Sequence, residues 1–170
     1  EHAQAHLLLA HVLLDDGHAD AAGRELTAAR HAYGNRMSSM DEGFLTVEEA
    51  RRSLQQGDPE GAAGLAREAI ELLGNLSVPG QLGEAYLVLA RGYDELGLAD
   101  RAETAYSAAI DALQKQNGWH CELGRAYRWY GKFLRRAGRA EAAMDAFERA
   151  ADLAPSNLAV LELPDPARGA

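Results

Sequence analysis

Residues 127–150 read YRWYGKFLRRAGRAEAAMDAFERA, and this segment shows the clearest helical periodicity in the chain. Bulky and small side chains recur every three or four residues on both sides of Gly138, which is typical of two amphipathic helices. Glycine readily adopts the left-handed backbone that ends a helix, so we expect Gly138 in the turn between them. The segment therefore predicts a helical hairpin, with two antiparallel helices joined by a tight turn.

The same hairpin pattern recurs along the chain. Gly17, Gly57 and Gly97 precede Gly138 at intervals of 40, 40 and 41 residues. The four asparagines follow nearly the same spacing, and we expect all of them in turns between hairpins: Asn35, Asn75, Asn117 and Asn157. Self-similarity at a fixed period indicates a repeat architecture, in which each hairpin buries its apolar face against its neighbours. We therefore predict four stacked hairpins.

The third and fourth units identify the repeat. The pattern of the third unit consists of Tyr86, Leu89, Ala90, Tyr93, Gly97, Ala102, Tyr106 and Ala109. The pattern of the fourth unit consists of Tyr127, Tyr130, Gly131, Leu134, Gly138, Ala143, Phe147, Ala150 and Pro155. Both patterns resemble the tetratricopeptide repeat. The resemblance implies an all-α fold, a right-handed α-solenoid of four helical hairpins with a period of about 40 residues and a short C-terminal cap.

The repeat spacing also predicts where the units and helices lie. We place the array at residues 1–155, with a cap and frayed tail at 156–170 and units at about 3–39, 43–79, 83–119 and 124–157. We expect helices at about 2–15, 19–33, 40–56, 60–73, 82–96, 99–116, 120–137 and 140–153. In the second unit, Glu49 and Ser53 stand where Leu and Tyr are expected, which leaves a shifted register open there. The apolar segment 158–163 is expected to cover the last hairpin.

Composition excludes several classes of function. The 170 residues carry 26 acidic and 17 basic side chains, a net charge of −9, which disfavours direct contact with nucleic acid. A single cysteine excludes an intrachain disulfide framework. No apolar run approaches the ~20 residues needed to cross a membrane. Since no phosphate-binding loop or catalytic constellation is present, we expect no enzymatic activity, no cofactor and no metal.

A row of basic residues marks the first helix of each hairpin, which we call helix A and which lines the concave face in arrays of this kind. An equivalent position of every unit holds a basic side chain: His11, Arg51, Arg91 and Lys132. The last helix A adds Arg125, Arg128, Arg135 and Arg136. Arginine forks suit carboxylates and phosphates, so we predict an acidic peptide or another anionic ligand on this face. The alternative is pairing with acids on adjacent helices: Asp15, Glu84, Asp94 and Glu95.

Three smaller features also have two interpretations each. Trp129 is expected to point partly outward, where it would contact a partner or a second copy in a homodimer, or else pack against the C-terminal tail. Cys121 lies at a helix start, where a reactive thiol is conceivable, although a buried structural cysteine is favoured. His2 and His6 have the spacing of two metal ligands, but no third ligand is near in sequence, so a surface role is favoured.

The long unit and the composition bear on the biological role. Both are similar to the C-terminal tetratricopeptide arrays of actinobacterial helix-turn-helix transcriptional regulators. The resemblance implies a cytoplasmic, non-enzymatic sensor domain that binds a protein or peptide, and the start at Glu1 leads us to expect an upstream segment. The alternative is a stand-alone scaffold, or a co-chaperone-like adaptor for acidic peptides. Peptide-pheromone receptors of this type grip their ligand with asparagines on helix A, and this interpretation is disfavoured because the asparagines lie in predicted turns.

Overall fold

The computed structural model describes residues 2–115 and 118–153, and within these ranges the chain forms eight α-helices and no strand. The helices are α1 (His2–Asp15), α2 (Ala19–Tyr33), α3 (Ser39–Gln55), α4 (Pro59–Leu73), α5 (Pro79–Glu95), α6 (Ala99–Gln114), α7 (His120–Arg136) and α8 (Ala140–Asp152). They pair as four successive hairpins, α1 with α2 through α7 with α8. The predicted all-α solenoid is confirmed. None of the helices in the described ranges is long and apolar enough to cross a membrane.

A glycine with a left-handed backbone lies in the turn of each hairpin. Gly17, Gly57, Gly97 and Gly138 all have a positive φ, between 74° and 81°. A side chain with a Cβ is strained in this conformation, which explains why glycine recurs at this place in every unit. The predicted helix bounds agree with the structure to within one to three residues. The largest difference is at α5, which begins at Pro79 because proline fits the first turn of a helix.

The second hairpin has the same register as its neighbours. Gly43 of α3 lies against Leu73 of α4, and Gly83 of α5 lies against Leu113 of α6, with both residues shifted by 40 positions. The shifted register left open by the sequence therefore does not occur. Glu49 fits because it faces the first hairpin, where Arg30 donates a hydrogen bond to it at 3.0 Å.

Aromatic rings join the third hairpin to the fourth. Tyr106 is fully buried, and its ring centroid lies 5.6 Å from that of Tyr130 and 5.5 Å from that of Phe133. Within the fourth hairpin, a methyl group on Gly131 would lie 2.8 Å from the Phe147 ring. The pattern of large and small residues therefore acts as expected, because small residues allow close helix approach and aromatic rings fill the remaining space.

One local expectation is wrong. Cys121 is exposed rather than buried, because it lies in the first turn of α7 away from the face that carries Leu123 and Ala126. The expected cap, including residues 158–163, and the turns at Asn117 and Asn157 lie outside the described residues.

Candidate functional site

The A helices form the inner face of the array. Helix α1 contacts α3, α3 contacts α5, and α5 contacts α7, whereas the second helices of the four hairpins make no contact with one another in the described part of the chain. A stack whose first helices touch and whose second helices diverge curves toward the first helices. The concave face is therefore built from α1, α3, α5 and α7, as the repeat pattern predicts.

The centre of the concave face holds six ionisable side chains from four helices, which we call the central charge cluster. Its members are His11 and Asp15 of α1, Glu48 and Arg51 of α3, Glu84 of α5 and Arg125 of α7. Arg51 donates hydrogen bonds to Glu48, at 2.8 Å, and to Asp15. Arg125 donates to Asp15 at 2.9 Å and to Glu84 at 2.5 Å. Each arginine therefore bridges two carboxylates.

The cluster favours the charged forms of Asp15 and Arg125. Burial alone would raise the pKa of Asp15, but the nearby Arg51 and Arg125 guanidinium groups outweigh it and hold that pKa below its usual value. Burial would lower the pKa of Arg125, but Glu84 and Asp15 raise it above its ordinary value. One atom is left over: Glu84 Oε1 is buried and has no hydrogen-bond partner among the described residues.

The pKa of His11 is also shifted by the central charge cluster. Its hydrogen bond with Glu48 raises its pKa, against the opposing effect of burial. The ring nitrogen Nδ1 lies 2.8 Å from a Glu48 oxygen and 2.7 Å from a nitrogen of Arg51. A guanidinium can only donate, so a protonated Nδ1 donates to Glu48, whereas an unprotonated Nδ1 accepts from Arg51.

The C-terminal half of the concave face contains basic side chains of a different kind. The Arg91 guanidinium lies 4.0 Å from the centroid of the Trp129 ring, and Lys132 Nζ lies 4.2 Å from it. Neither cation forms an ion pair within the described ranges. Burial lowers the pKa of Arg91, although Glu95 opposes this effect, and Arg91 Nε is buried with no hydrogen-bond partner among residues 2–115 and 118–153. Arg91, Trp129 and Lys132 thus form a cationic group, which we call the Trp129 group.

The predicted basic residues therefore fall into two sets. The residues of the first set are paired with acidic side chains of the A helices, as the alternative interpretation states. They are His11, Arg51, Arg125 and Arg136, and Arg136 donates to Asp94. The second set has no ion pair in the described part of the chain: Arg91, Arg128, Lys132 and Arg135. Of the second set, Arg128, Lys132 and Arg135 are exposed at the C-terminal end of the face.

Beside the central charge cluster lies a cavity of about 350 Å³ that sequence reasoning did not find. Its apolar wall consists of Leu7, Leu8, Met40, Phe44, Val47 and Trp119. Its polar groups include His11, Glu48 and Glu84 of the central charge cluster. The walls come from several helices, so no single unit carries a signal for it. Leu8 is an apolar residue of this wall on the first helix A, and the fold leaves it 66% exposed.

Comparison with known proteins identifies the repeat. Residues 123–157, which begin in α7, match the family model of the tetratricopeptide repeat. Residues 123–157 carry a tetratricopeptide repeat. This confirms the family predicted from the sequence, and tetratricopeptide repeats generally mediate protein–protein interactions rather than catalysis.

A solved structure extends the likeness to the whole array. The chain is similar to the crystal structure of BtubC (BKLC) from P. vanneervenii, with a TM-score of 0.68 and 21% sequence identity. The alignment covers 99% of this chain and 68% of that chain. At this identity the likeness shows the fold alone and not a ligand. No curated protein matches the chain.

Proposed function

We propose that this tetratricopeptide array is a non-enzymatic domain that binds an acidic protein segment or peptide on the C-terminal half of its concave face. The observation that carries the proposal is the Trp129 group, in which Arg91 and Lys132 lie over one indole ring without a carboxylate partner in the described residues. A guanidinium and an ammonium beside a flat apolar surface suit a ligand carboxylate and the chain that carries it.

The two halves of the concave face support different roles. In the central charge cluster, an acidic ligand would have to displace Asp15, Glu48 or Glu84, which are already bonded to arginine. Beside Trp129, Arg91 and Lys132 can bind a carboxylate without such a displacement. The proposed acidic contacts are therefore Arg91 and Lys132, together with the exposed arginines of α7: Arg128, Arg135 and Arg136, the last in exchange for Asp94.

The cavity beside the central charge cluster complements these contacts. Its wall of leucine, methionine, valine and aromatic side chains suits an apolar side chain of the same ligand. Burial of such a side chain contributes roughly 1.5–3 kcal/mol. The proposed ligand is therefore a segment that carries both acidic and apolar residues.

Fluorescence anisotropy tests the acidic part of the proposal. The probe is a fluorescein-labelled octapeptide of alternating glutamate and leucine, compared with one in which lysine replaces glutamate. We expect the glutamate peptide to bind preferentially, and Arg91→Gln and Lys132→Gln each to weaken it about tenfold, or about 1.4 kcal/mol. Arg67→Gln, an exposed basic residue on α4, is the matched control. Equal affinity of both peptides, or unchanged binding by both variants, contradicts the proposal.

We further propose that the domain serves in the cytoplasm as the sensor or oligomerisation part of a bacterial transcriptional regulator, with Trp129 contacting the ligand or a second copy. Its support is the resemblance of unit length and composition to actinobacterial regulators. Ligand binding would act through unequal affinity for two shapes of the array. A helix-turn-helix encoded directly upstream of residue 1 is the expected finding. A start codon in that position instead favours the stand-alone adaptor.

A further inference from the structure

The cavity beside the central charge cluster has an apolar wall that several helices share. Leu8, Phe44 and Trp119 contribute to this wall, and Tyr33 adds a further aromatic ring. A methyl group on Gly80 would overlap the Trp119 ring, so this glycine lets the indole lie directly against α5. The volume of about 350 Å³ lies at the lower end of the range for ligand pockets, and therefore suits a small molecule or a single side chain.

The charged side chains that line the cavity are mostly acidic. Asp41, Glu48 and Glu84 line it, whereas His11 is the one basic residue of the lining within the described ranges. A ligand carboxylate in this cavity would therefore lie close to three acidic side chains. The cavity thus disfavours anions, in contrast to the Trp129 group on the other half of the same face.

The central charge cluster carries more negative than positive charge. Its two arginines are paired with three carboxylates, so one negative charge is left over unless His11 is protonated. Two of these carboxylates, Glu48 and Glu84, line the cavity. A ligand cation beside them would supply the missing positive charge.

Glu84 also lacks a hydrogen bond. Its side chain is 6% exposed and its Oε2 accepts from Arg125 at 2.5 Å, but its buried Oε1 has no hydrogen-bond partner in the described part of the chain. A buried carboxylate oxygen without a donor is costly. The terminal torsion of glutamate is broad, so a small turn of the carboxylate can bring Oε1 to a donor in the cavity. The site therefore lacks both a positive charge and a hydrogen-bond donor.

We propose that this cavity binds an apolar amine, in which a protonated amino group adjoins a hydrocarbon or aromatic body. The ammonium donates to Glu84 and balances the excess negative charge of the cluster, while the apolar body packs against Phe44 and Trp119. Aromatic rings beside an ammonium add cation–π attraction. The proposal narrows the occupant that the proposed function gives this cavity, and to that extent rests on it, but it needs none of the contacts around Trp129.

An NMR titration of the backbone amides at pH 7 tests the proposal, with ligands at up to about 20 mM because molecules this small bind weakly. Three ligands of similar shape are compared: phenethylamine with an ammonium, phenethyl alcohol with a neutral donor, and phenylacetate with a carboxylate. We expect phenethylamine to shift the amides of Leu8, Phe44 and Trp119 saturably, with a Kd about tenfold below that of the alcohol. Phenylacetate is expected to leave these amides unchanged.

The same titration can overturn the proposal. Equal affinity for the amine and the alcohol does so, and so does binding of phenylacetate as tight as that of phenethylamine. Saturable shifts confined to residues away from the cavity also overturn it. Because no peptide is used, the result is independent of whether an acidic peptide binds at the Trp129 group.

Two substitutions separate the carboxylate from the apolar wall. Glu84→Gln keeps the shape of the side chain and is expected to bring the Kd values of the amine and the alcohol together. Leu8→Ser changes an exposed residue of the wall and is expected to weaken both ligands about threefold. Leu9→Ser is the matched control, because Leu9 is also exposed but does not line the cavity. A Glu84→Gln variant with the full preference for the amine overturns the proposal, as does equal weakening by Leu8→Ser and Leu9→Ser.

Competition identifies the source of the amine. The competitors are a glutamate–leucine octapeptide that begins with a free leucine amine and the same peptide with an acetylated amino end. Displacement of phenethylamine by the free form alone assigns the amine to the amino end of a bound chain. Displacement by neither form assigns it to a free small molecule. Equal displacement by both forms overturns the proposal, because the positive charge would then not be required.

Discussion

Arg125, in the first turns of α7, donates a hydrogen bond at 2.9 Å to Asp15, which lies 110 residues earlier at the end of α1. The two helices make no direct backbone contact, so the bond spans the concave face from the first hairpin to the last. The same guanidinium bonds Glu84 of α5 at 2.5 Å. One side chain therefore connects three of the four A helices.

Removal of this guanidinium is expected to destabilise the fold. Arg125→Met leaves the Glu84 side chain, only 6% exposed, without its cation, and an uncompensated buried charge costs about 3 kcal/mol. Arg30→Gln, which removes an exposed ion pair, is expected to cost less than about 1 kcal/mol. Urea unfolding at pH 7 measures both. Adding Glu84→Gln to Arg125→Met should recover part of the loss, and equal losses for Arg125→Met and Arg30→Gln would contradict the assignment.

Protonation of His11 is expected to stabilise the fold. Its hydrogen bond with Glu48 raises its pKa above the usual 6.5, and Asp15 adds to this effect, while burial and Arg51 oppose it. A raised pKa in the folded state contributes stability that is complete below pH 6.5 and is lost as the pH rises through the folded value. The difference in unfolding free energy between wild type and His11→Gln should therefore be larger at pH 5.5 than at pH 8.5.

The partner of His11 provides the control for this pH dependence. In a Glu48→Gln background, the same comparison should lose most of its dependence on pH, because the hydrogen bond that raises the pKa is gone. An NMR titration of the His11 ring gives the folded pKa directly. A value at or below 6.5 would refute the explanation.

Two substitutions of Tyr106 separate the contribution of ring packing from that of hydrogen bonding. The ring is 0% exposed between Tyr130 and Phe133, and Tyr106→Ala is expected to lower the free energy of unfolding by about 4 kcal/mol. Its hydroxyl donates to Asp94 at 3.3 Å, and Tyr106→Phe is expected to cost about 1 kcal/mol or less. Urea unfolding distinguishes the two effects. A larger loss of unfolding free energy for Tyr106→Phe than for Tyr106→Ala would show that the hydroxyl, rather than the ring, provides the stability.

The glycine turns allow a matched pair of alanine substitutions. Gly97 has a φ of +74°, so Gly97→Ala is expected to destabilise the fold by about 1–2 kcal/mol. Gly64 lies inside α4 with open space around it, and Gly64→Ala is expected to stabilise the fold by about 0.5–1 kcal/mol. Thermal unfolding should show opposite shifts, with roughly 2–4 °C for each kcal/mol in a chain of this size. Shifts of the same sign would contradict the role of the turn.

Local chemistry made the helices predictable. Asp58 and Pro59 begin α4 because a carboxylate caps the first turn, where the Gly61 N–H donates to Asp58 at 2.9 Å, and because proline fits there. In the second unit, Glu49 departs from the repeat pattern. The structure explains Glu49 by its hydrogen bond with Arg30 of the neighbouring hairpin, 19 residues away in sequence.

The candidate site was predictable as a set of residues and not as a set of contacts. The sequence shows a basic residue at one helical position of every unit, including Arg51 and Arg91. It does not show that Arg51 is bonded to Asp15 and Glu48 whereas Arg91 lies over Trp129. That difference arises because Asp15 and Glu48 come within reach of Arg51, whereas no carboxylate of the described residues comes within ion-pair reach of Arg91.

The sequence by itself determined the repeat, the helix ends and the residues that face inward, because periodicity, glycine turns and caps act over a few neighbouring positions. Only the tertiary structure decided which charges are paired and where the cavity lies. These features depend on the curvature with which the hairpins stack. That curvature brings Arg125 to Asp15 across 110 residues, a distance over which sequence pattern carries no signal.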